Sequence, residues 1–341
     1  MRIDFHRHLE GSHTARALLV VAHRFQLRDP LFLAAGRYRS EAELAPLLQM
    51  QGDSGNASAF YAAIDTARRA YVSSAAITAL TYESFLDAAA EVDALEMRVS
   101  LFSMTRTLFG SDWRTVAPMA FAEKAREVLL GLLDARDRAQ VTTGKRLLLR
   151  LGLSRTFESE PHYQALASVV AEHAAGLCGL DVLGILSGPD KEPLQPGLVA
   201  IIERLRPVLP DLTIHAGEFE DHRSVERALA LSPRGIGHGI RALGSDRTLA
   251  RLRDAGVTLE VCPGSNALLV PDALAALRAQ HDGAHPLCAL QKHDVHTVLG
   301  SDDPVPMATS FAREEQVAVQ AGVDSARLAA DTLRRWQQLN G

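Results

Sequence analysis

Cysteine is scarce, and the three present, Cys178, Cys262 and Cys288, are odd in number and lack Cys-x-x-Cys spacing. That excludes a disulfide framework and a cysteine-based metal site. No apolar run approaches the ~18 residues that a membrane-spanning helix requires. Positive charge is not in excess either: 36 Lys and Arg stand against 41 Asp and Glu, for a net charge of −5. With no basic run long enough to follow a phosphate backbone, nucleic-acid polymers are excluded as partners, and no membrane partner is expected. What remains is a chain of 341 residues, 47% hydrophobic, a composition that fits a soluble globular protein with a large core. The N-terminus opens directly in a strand-like run, so neither a cleaved signal nor a transit peptide is expected and cytoplasmic residence is the default.

Short aliphatic or β-branched runs bounded by turn residues occur at 2–8, 94–102, 146–154, 181–187, 211–216, 235–238, 257–262 and 296–301. Helical patterns with start signals separate most of them: Asp112 before 114–135, Glu160-Pro161 before 162–176, Pro196 before 197–206 and Ser245 before 246–255. Strand and helix alternating through eight strands is the pattern of an α/β (β/α)8 TIM barrel, a single domain over 1–341. Residues 14–91 hold several helix-like segments and no convincing strand, more than one crossover requires. They are read as a helical insertion after strand 1, a lid or wall over the barrel mouth, with a turn-rich stretch at Gln51–Asn56.

The polar residues that end these runs carry the chemistry. His6 and His8 lie i, i+2 on an extended segment, so a period of two points both imidazoles to one side. With His215 and a carboxylate from Asp302 they form a set of three His and one Asp, suited to Zn²⁺ with a position left open for water. A lone His on an apolar strand is ordinarily a core histidine, but Glu218 follows His215 by three residues and supplies an adjacent proton carrier. Glu218 also reads as a first-turn helix acid, since Glu220 and Asp221 follow at once. His238 sits between two glycines, where the chain approaches a ligand closely, and Asp302-Asp303-Pro304 reads either as a capping turn or as two carboxylates with two jobs. In a barrel, the functional residues are expected at the C-terminal strand ends, where all of these fall. Cys262, before Pro263-Gly264-Ser265-Asn266, is the cysteine placed near such an end.

His6-Arg7-His8-Leu9-Glu10-Gly11, His215-Ala216-Gly217-Glu218, Gly237-His238-Gly239, Cys262-Pro263-Gly264-Ser265-Asn266 and Ser301-Asp302-Asp303-Pro304, in this order, resemble the adenosine deaminase family of zinc hydrolases. The resemblance implies one Zn²⁺ per chain on His6, His8, His215 and Asp302, making a hydroxide available to attack C6 of a 6-aminopurine. It further implies that Glu218 protonates ring N1, that His238 orients the nucleophile, and that Asp303 holds the purine through N7. The products would be a 6-oxopurine and ammonia. The substrate class, a small-molecule purine, follows from the same resemblance.

Two departures bear on the substrate. Adenosine-specific members carry Asp where this chain has Glu10, whose longer side chain takes up sugar space, so the resemblance leans toward free adenine or modified purines. At strand 4 the family pattern is Asp-Leu-Ala-Gly followed by acids, and the stretch Ile185-Leu186-Ser187-Gly188-Pro189-Asp190 is matched to it through Gly188, whose N–H would meet ring N3. The alternatives are another metal-dependent amidohydrolase of this barrel with two metals bridged by a modified strand-4 lysine, and a purine-binding protein without turnover. Lys191 lies out of register for the first, and no ligand or proton carrier is missing as the second would require.

Overall fold

The computed structural model describes residues 1–340. Eight parallel strands run in sequence order around one sheet: β1 (Ile3–His8), β2 (Ala94–Val99), β3 (Arg146–Ser154), β4 (Gly179–Leu183), β5 (Leu212–Ala216), β6 (Gly235–His238), β7 (Thr258–Val261) and β8 (His296–Leu299). The sheet closes where the segment after β8 meets β1: Asp302 N–H donates to His6 O at 2.7 Å, and His8 N–H to Asp302 O at 2.8 Å. The architecture is the (β/α)8 barrel expected from the alternation of patterns.

Period-two alternation sorts the strand residues cleanly. Leu147, Leu149, Leu151 and Leu153 of β3, with Leu180 and Val182 of β4, face outward into the main apolar core under the helices. Ile3 and Phe5 of β1 share a smaller cluster with Val298, against Trp336 of the C-terminal helix Ser325–Asn340. The opposite faces carry charge instead of the branched aliphatics common inside such barrels. Arg150 pairs with Glu96 (2.6 Å) and Asp211 (2.7 Å), Arg335 reaches in from the C-terminal helix to Asp211 (2.7 Å), and Arg98 pairs with Asp181 (2.8 Å) and Glu260. Three guanidiniums thus face four carboxylates in a water-poor interior, and each needs its partners. Arg335→Met strips a buried partner from Asp211, and we expect a loss of about 3 kcal/mol in urea unfolding, at the lower end of broken buried pairs because Arg150 remains. A loss under 1 kcal/mol would show that Arg150 satisfies Asp211 alone.

The helices follow their signals with shifted boundaries. The helix expected over 114–135 runs Pro118–Thr143, begun by Pro118 at its first position and ended by Gly144 at φ 67°. Strand 2 stops at Val99 because the helix Leu101–Phe109 starts at once. Strand 4 lies at Gly179–Leu183, ahead of the expected 181–187. Within 14–91, the helix Ser74–Ala89 packs on Pro118–Thr143 and is the crossover from β1 to β2. The residues beyond a normal crossover are therefore those before it, and they include a small antiparallel hairpin, Leu33–Ala34 with Arg37–Tyr38, that the sequence pattern does not reveal. Helix Ala57–Ala67 stands at the barrel mouth, where Phe60 and Ile64 pack against Leu269.

Candidate metal centre and active site

The strand ends bring four donors together. One ligand atom from each of His6, His8, His215 and Asp302 lies within 4.8 Å of the other three. His6 Nε2 is 3.0 Å from His215 Nε2, and Asp302 Oδ1 is 3.2 Å from His8 Nε2 and 3.7 Å from His6 Nε2. Atoms held about 2 Å from one ion at tetrahedral angles are separated by about 3.3 Å, so these spacings fit a shared cation.

The far sides of two rings support the same reading. His6 Nδ1 faces Glu260 Oε2 at 3.2 Å and His215 Nδ1 faces Asp181 Oδ1 at 3.2 Å. A carboxylate at Nδ1 holds that proton and leaves Nε2 with a free lone pair, the arrangement of metal-binding histidines. Arg98 joins both relays, donating to Asp181 Oδ2 (2.8 Å) and to Glu260 Oε2. The cluster is compatible with a metal-binding site. Cys262 Sγ also lies within 4.8 Å of one nitrogen of His6 and one of His238, and burial raises its thiol well above the ordinary range.

Local backbone explains the placement. His238 and Asp302 both adopt left-handed φ, 60° and 59°, a conformation disfavoured for residues with a Cβ and found where surrounding structure imposes it. Gly237 has no Cβ for a physical reason, since one there would sit 2.8 Å from His6 Cε1 and 3.1 Å from His215 Cγ. Gly11 likewise leaves room for Asp303, whose Oδ1 would lie 2.0 Å from an added Cβ.

Around the donors sit groups with displaced protonation. Burial, with Asp302 and Glu192 nearby, raises the Glu218 carboxyl well above its usual range. Burial and the adjacent Asp302 do the same for Asp303, against the pull of His8. Burial lowers His238 to about 3, so its ring is neutral at neutral pH. Asn266 Nδ2 donates to His238 Nδ1 at 3.0 Å, which puts the ring proton on Nε2, 3.4 Å from Glu218 Oε2 and 3.8 Å from Asp302 Oδ2. For His8, burial works downward, but Asp303 and Asp302 outweigh it and push the ring up to about 9.

A cavity of about 320 Å³ opens over these groups, lined by His8, Glu10, His215, Glu218, Asp302 and Asp303 and walled by Phe60, Tyr61 and Ile64. Glu10 is buried in its wall, with Oε1 accepting from Ser100 N–H at 3.2 Å. Gly188 is not brought to the site: it is exposed, with nothing within 4 Å of its Cβ position, and it is absent from the lining. Gly184 lines the cavity instead. The stretch Asp181-Val182-Leu183-Gly184 fits the Asp-Leu-Ala-Gly pattern, and reading strand 4 two residues too late displaced the match by four. Five contributors escaped sequence reading: Asp181, Glu260, Arg98, Glu192 and Arg155, which donates to Gly184 O (3.1 Å) and His215 O. For Asp181 the signal was present in that motif. The others interrupt no pattern that marks a role.

The Adenosine deaminase family model matches residues 2–335. An adenine deaminase of Rhizobium leguminosarum bv. trifolii is 43% identical over 125 residues, 36% of this chain and 36% of its own length. An adenine deaminase of Rhizobium johnstonii is 31% identical over 246 residues, 70% of this chain and 68% of its own. The chain thus spans from about a third to about two thirds of the length of these curated relatives. Among solved structures, adenine deaminase from Arthrobacter aurescens superposes with a TM-score of 0.73 at 22% identity, covering 98% of this chain and 92% of that one. This last likeness concerns the fold.

Proposed function

The chain belongs to the adenosine deaminase family, and from that premise we propose that it hydrolyses the 6-amino group of a 6-aminopurine, giving the 6-oxopurine and ammonia. The observation that carries this reading is the pair of buried carboxyls, Glu218 and Asp303, both displaced toward their protonated forms beside one cluster of metal donors. The reacting carbon of such a purine is flanked by two ring acceptors, N1 on one side and N7 on the other. Two buried carboxyls match that edge.

His6, His8, His215 and Asp302 would hold one Zn²⁺, which supplies when bound the Lewis acidity that lets water act as a nucleophile near neutral pH. Glu218 donates its proton to N1, so that charge does not build up on the ring as C6 is attacked. Neutral His238, its proton fixed on Nε2 by Asn266, orients the attacking oxygen. Asp303 donates to N7 and holds the ring plane. Gly184 takes the place given to Gly188 and offers its N–H to N3. The Phe60 and Ile64 helix covers the mouth as part of the wall that excludes water.

Free adenine is the first substrate reading. Glu10 presents a buried carboxylate at the wall, able to accept N9–H of the free base, and the relatives named above are adenine deaminases. A second reading, an N9-substituted purine, is favoured by a cavity of about 320 Å³ whose lining also holds the polar residues Ser103, Arg106, Ser154 and Thr156. Ammonia release from adenine, adenosine, AMP and 5′-modified adenosines by zinc-loaded protein separates them. Adenine turned over at least about tenfold better in kcat/KM supports the first, and the reverse order supports the second. No release from any of the panel contradicts the activity.

The two-metal alternative finds no support in strand 4, which ends at Leu183 without a lysine, while the Lys191 ammonium lies 6.0 Å from the Phe219 ring. Gly237→Ala tests the ligand geometry without removing a donor. The added methyl displaces the His6 and His215 rings, and zinc affinity by chelator competition is expected to fall about 10- to 100-fold, as for lost supporting contacts. Unchanged affinity would show that these rings need not keep their positions.

A further inference from the structure

We propose that Glu192 is a positioning residue for Glu218, gripping the backbone that carries the proton donor from the loop after β4. The inference rests on the reading of Glu218 as the proton donor. Glu192 is only 2% exposed, yet it belongs to a loop whose neighbours Ser187–Asp190 are exposed. Its Oε2 accepts from Gly217 N–H at 2.9 Å, and its Oε1 accepts from Glu218 N–H at 3.1 Å and Phe219 N–H at 2.8 Å. Three successive amides converge on one carboxylate because Gly217 takes φ 66°, turning the chain into an anion-holding nest.

The grip is reciprocal. Glu220, from the same turn, accepts from Glu192 N–H at 2.9 Å and from Lys191 N–H, and Arg227 anchors the Glu220 carboxylate. Each loop therefore places a carboxylate on the other's backbone. The Glu218 side chain itself has little to hold it: among the described residues, its polar side-chain partner is His238 Nε2 at 3.4 Å. The position of its carboxyl is set through its main chain, which Glu192 holds at three amides, with Ser224 Oγ sharing Gly217 N–H at 2.6 Å. Glu192 is thus delivered by the detour through Pro189, as a clamp on the neighbouring strand end.

The test compares Glu192→Gln and Glu192→Ala with Glu218→Gln in the zinc-loaded protein. Gln keeps an accepting oxygen but turns an amide N–H₂ toward a backbone donor, so kcat is expected to fall about tenfold; Ala frees the amides of Glu218 and Phe219 and leaves Gly217 N–H on Ser224 Oγ at 2.6 Å, and the fall is expected to be about 100-fold, the scale of a small misplacement of a reacting group. KM is expected to stay within about threefold and zinc at one equivalent, while the amide protons of Glu218 and Phe219 exchange faster in substrate-free protein. If Glu192→Ala does not fold, the Gln variant carries the test alone. Unchanged kcat in both variants, KM rising with kcat intact, or zinc lost in proportion to kcat would each overturn the proposal. Full activity in Glu218→Gln would overturn the proton-donor reading and this inference with it, whereas a disabled Glu218→Gln beside an unimpaired Glu192→Ala would overturn the inference alone.

Discussion

Glu218→Gln is expected to lower kcat by about 10²- to 10⁴-fold, the usual contribution of a positioned proton donor, while zinc stays bound and the fold is kept. The amide has the volume of the carboxyl and leaves the backbone grip on residue 218 in place. It has no proton to give to N1. The pH profile supplies an independent check. Burial, before any charge effect, raises this carboxyl, and kcat/KM is expected to decline as pH rises through the raised pKa and the proton to be donated is lost. The glutamine variant lacks that limb. Stability moves in the same direction: a carboxyl whose folded pKa is raised stabilises fully below its unfolded pKa and loses that contribution as pH rises through the folded value. Above that pH the variant is expected to be the more stable protein. Turnover within about threefold of the parent would move the acid role to another residue.

His6→Ala is expected to have the second large effect. The ring supplies one of four donors and occupies the centre of the cluster, 3.0 Å from His215 Nε2 and 3.7 Å from Asp302 Oδ1. Its loss also takes from Glu260 one of its partners, leaving Arg98 on the same oxygen. Zinc affinity, read by chelator competition, is expected to fall by more than about 100-fold, beyond what loss of a supporting contact causes. The rise in melting temperature on adding zinc, which binding to the folded state alone produces, is expected to shrink with it. Stoichiometric zinc held as tightly as in the parent would remove His6 from the ligand set.

The same residues show how far a sequence can be read. Seven of the eight strands sit where aliphatic runs and turn residues place them within a few positions, because an outward face such as Leu147 to Leu153 must be apolar to meet the helices. The donors were legible for a related reason: His6, His8, His215 and Asp302 interrupt those runs at their C-terminal ends. β4 was misplaced since Gly184, Ile185 and Leu186 extend its apolar pattern past the real end at Leu183, and the Gly188 assignment failed with it. The helical insertion after strand 1 was legible, but its end was not, since the helix Ser74–Ala89 resembles its neighbours in sequence and is marked as a crossover only by what it packs against.

The supporting groups were the least legible. Asp181 and Glu260 point inward from β4 and β7, and in one dimension a buried acid on a strand looks like a break in the pattern. Arg98 gains its meaning from two carboxylates 83 and 162 residues away in the chain. Glu192 gains its meaning from three amides on a different strand end. Such roles depend on contacts across the barrel, which composition and periodicity do not encode.

The central claim is that a single cation on His6, His8, His215 and Asp302 enables deamination of a 6-aminopurine. Titrating zinc into metal-stripped protein while following ammonia release from adenine and its N9-substituted derivatives tests it most directly. The rate is expected to climb in proportion to zinc and to stop rising at one equivalent per chain. Release that is independent of zinc, or that keeps rising to two equivalents, would contradict it.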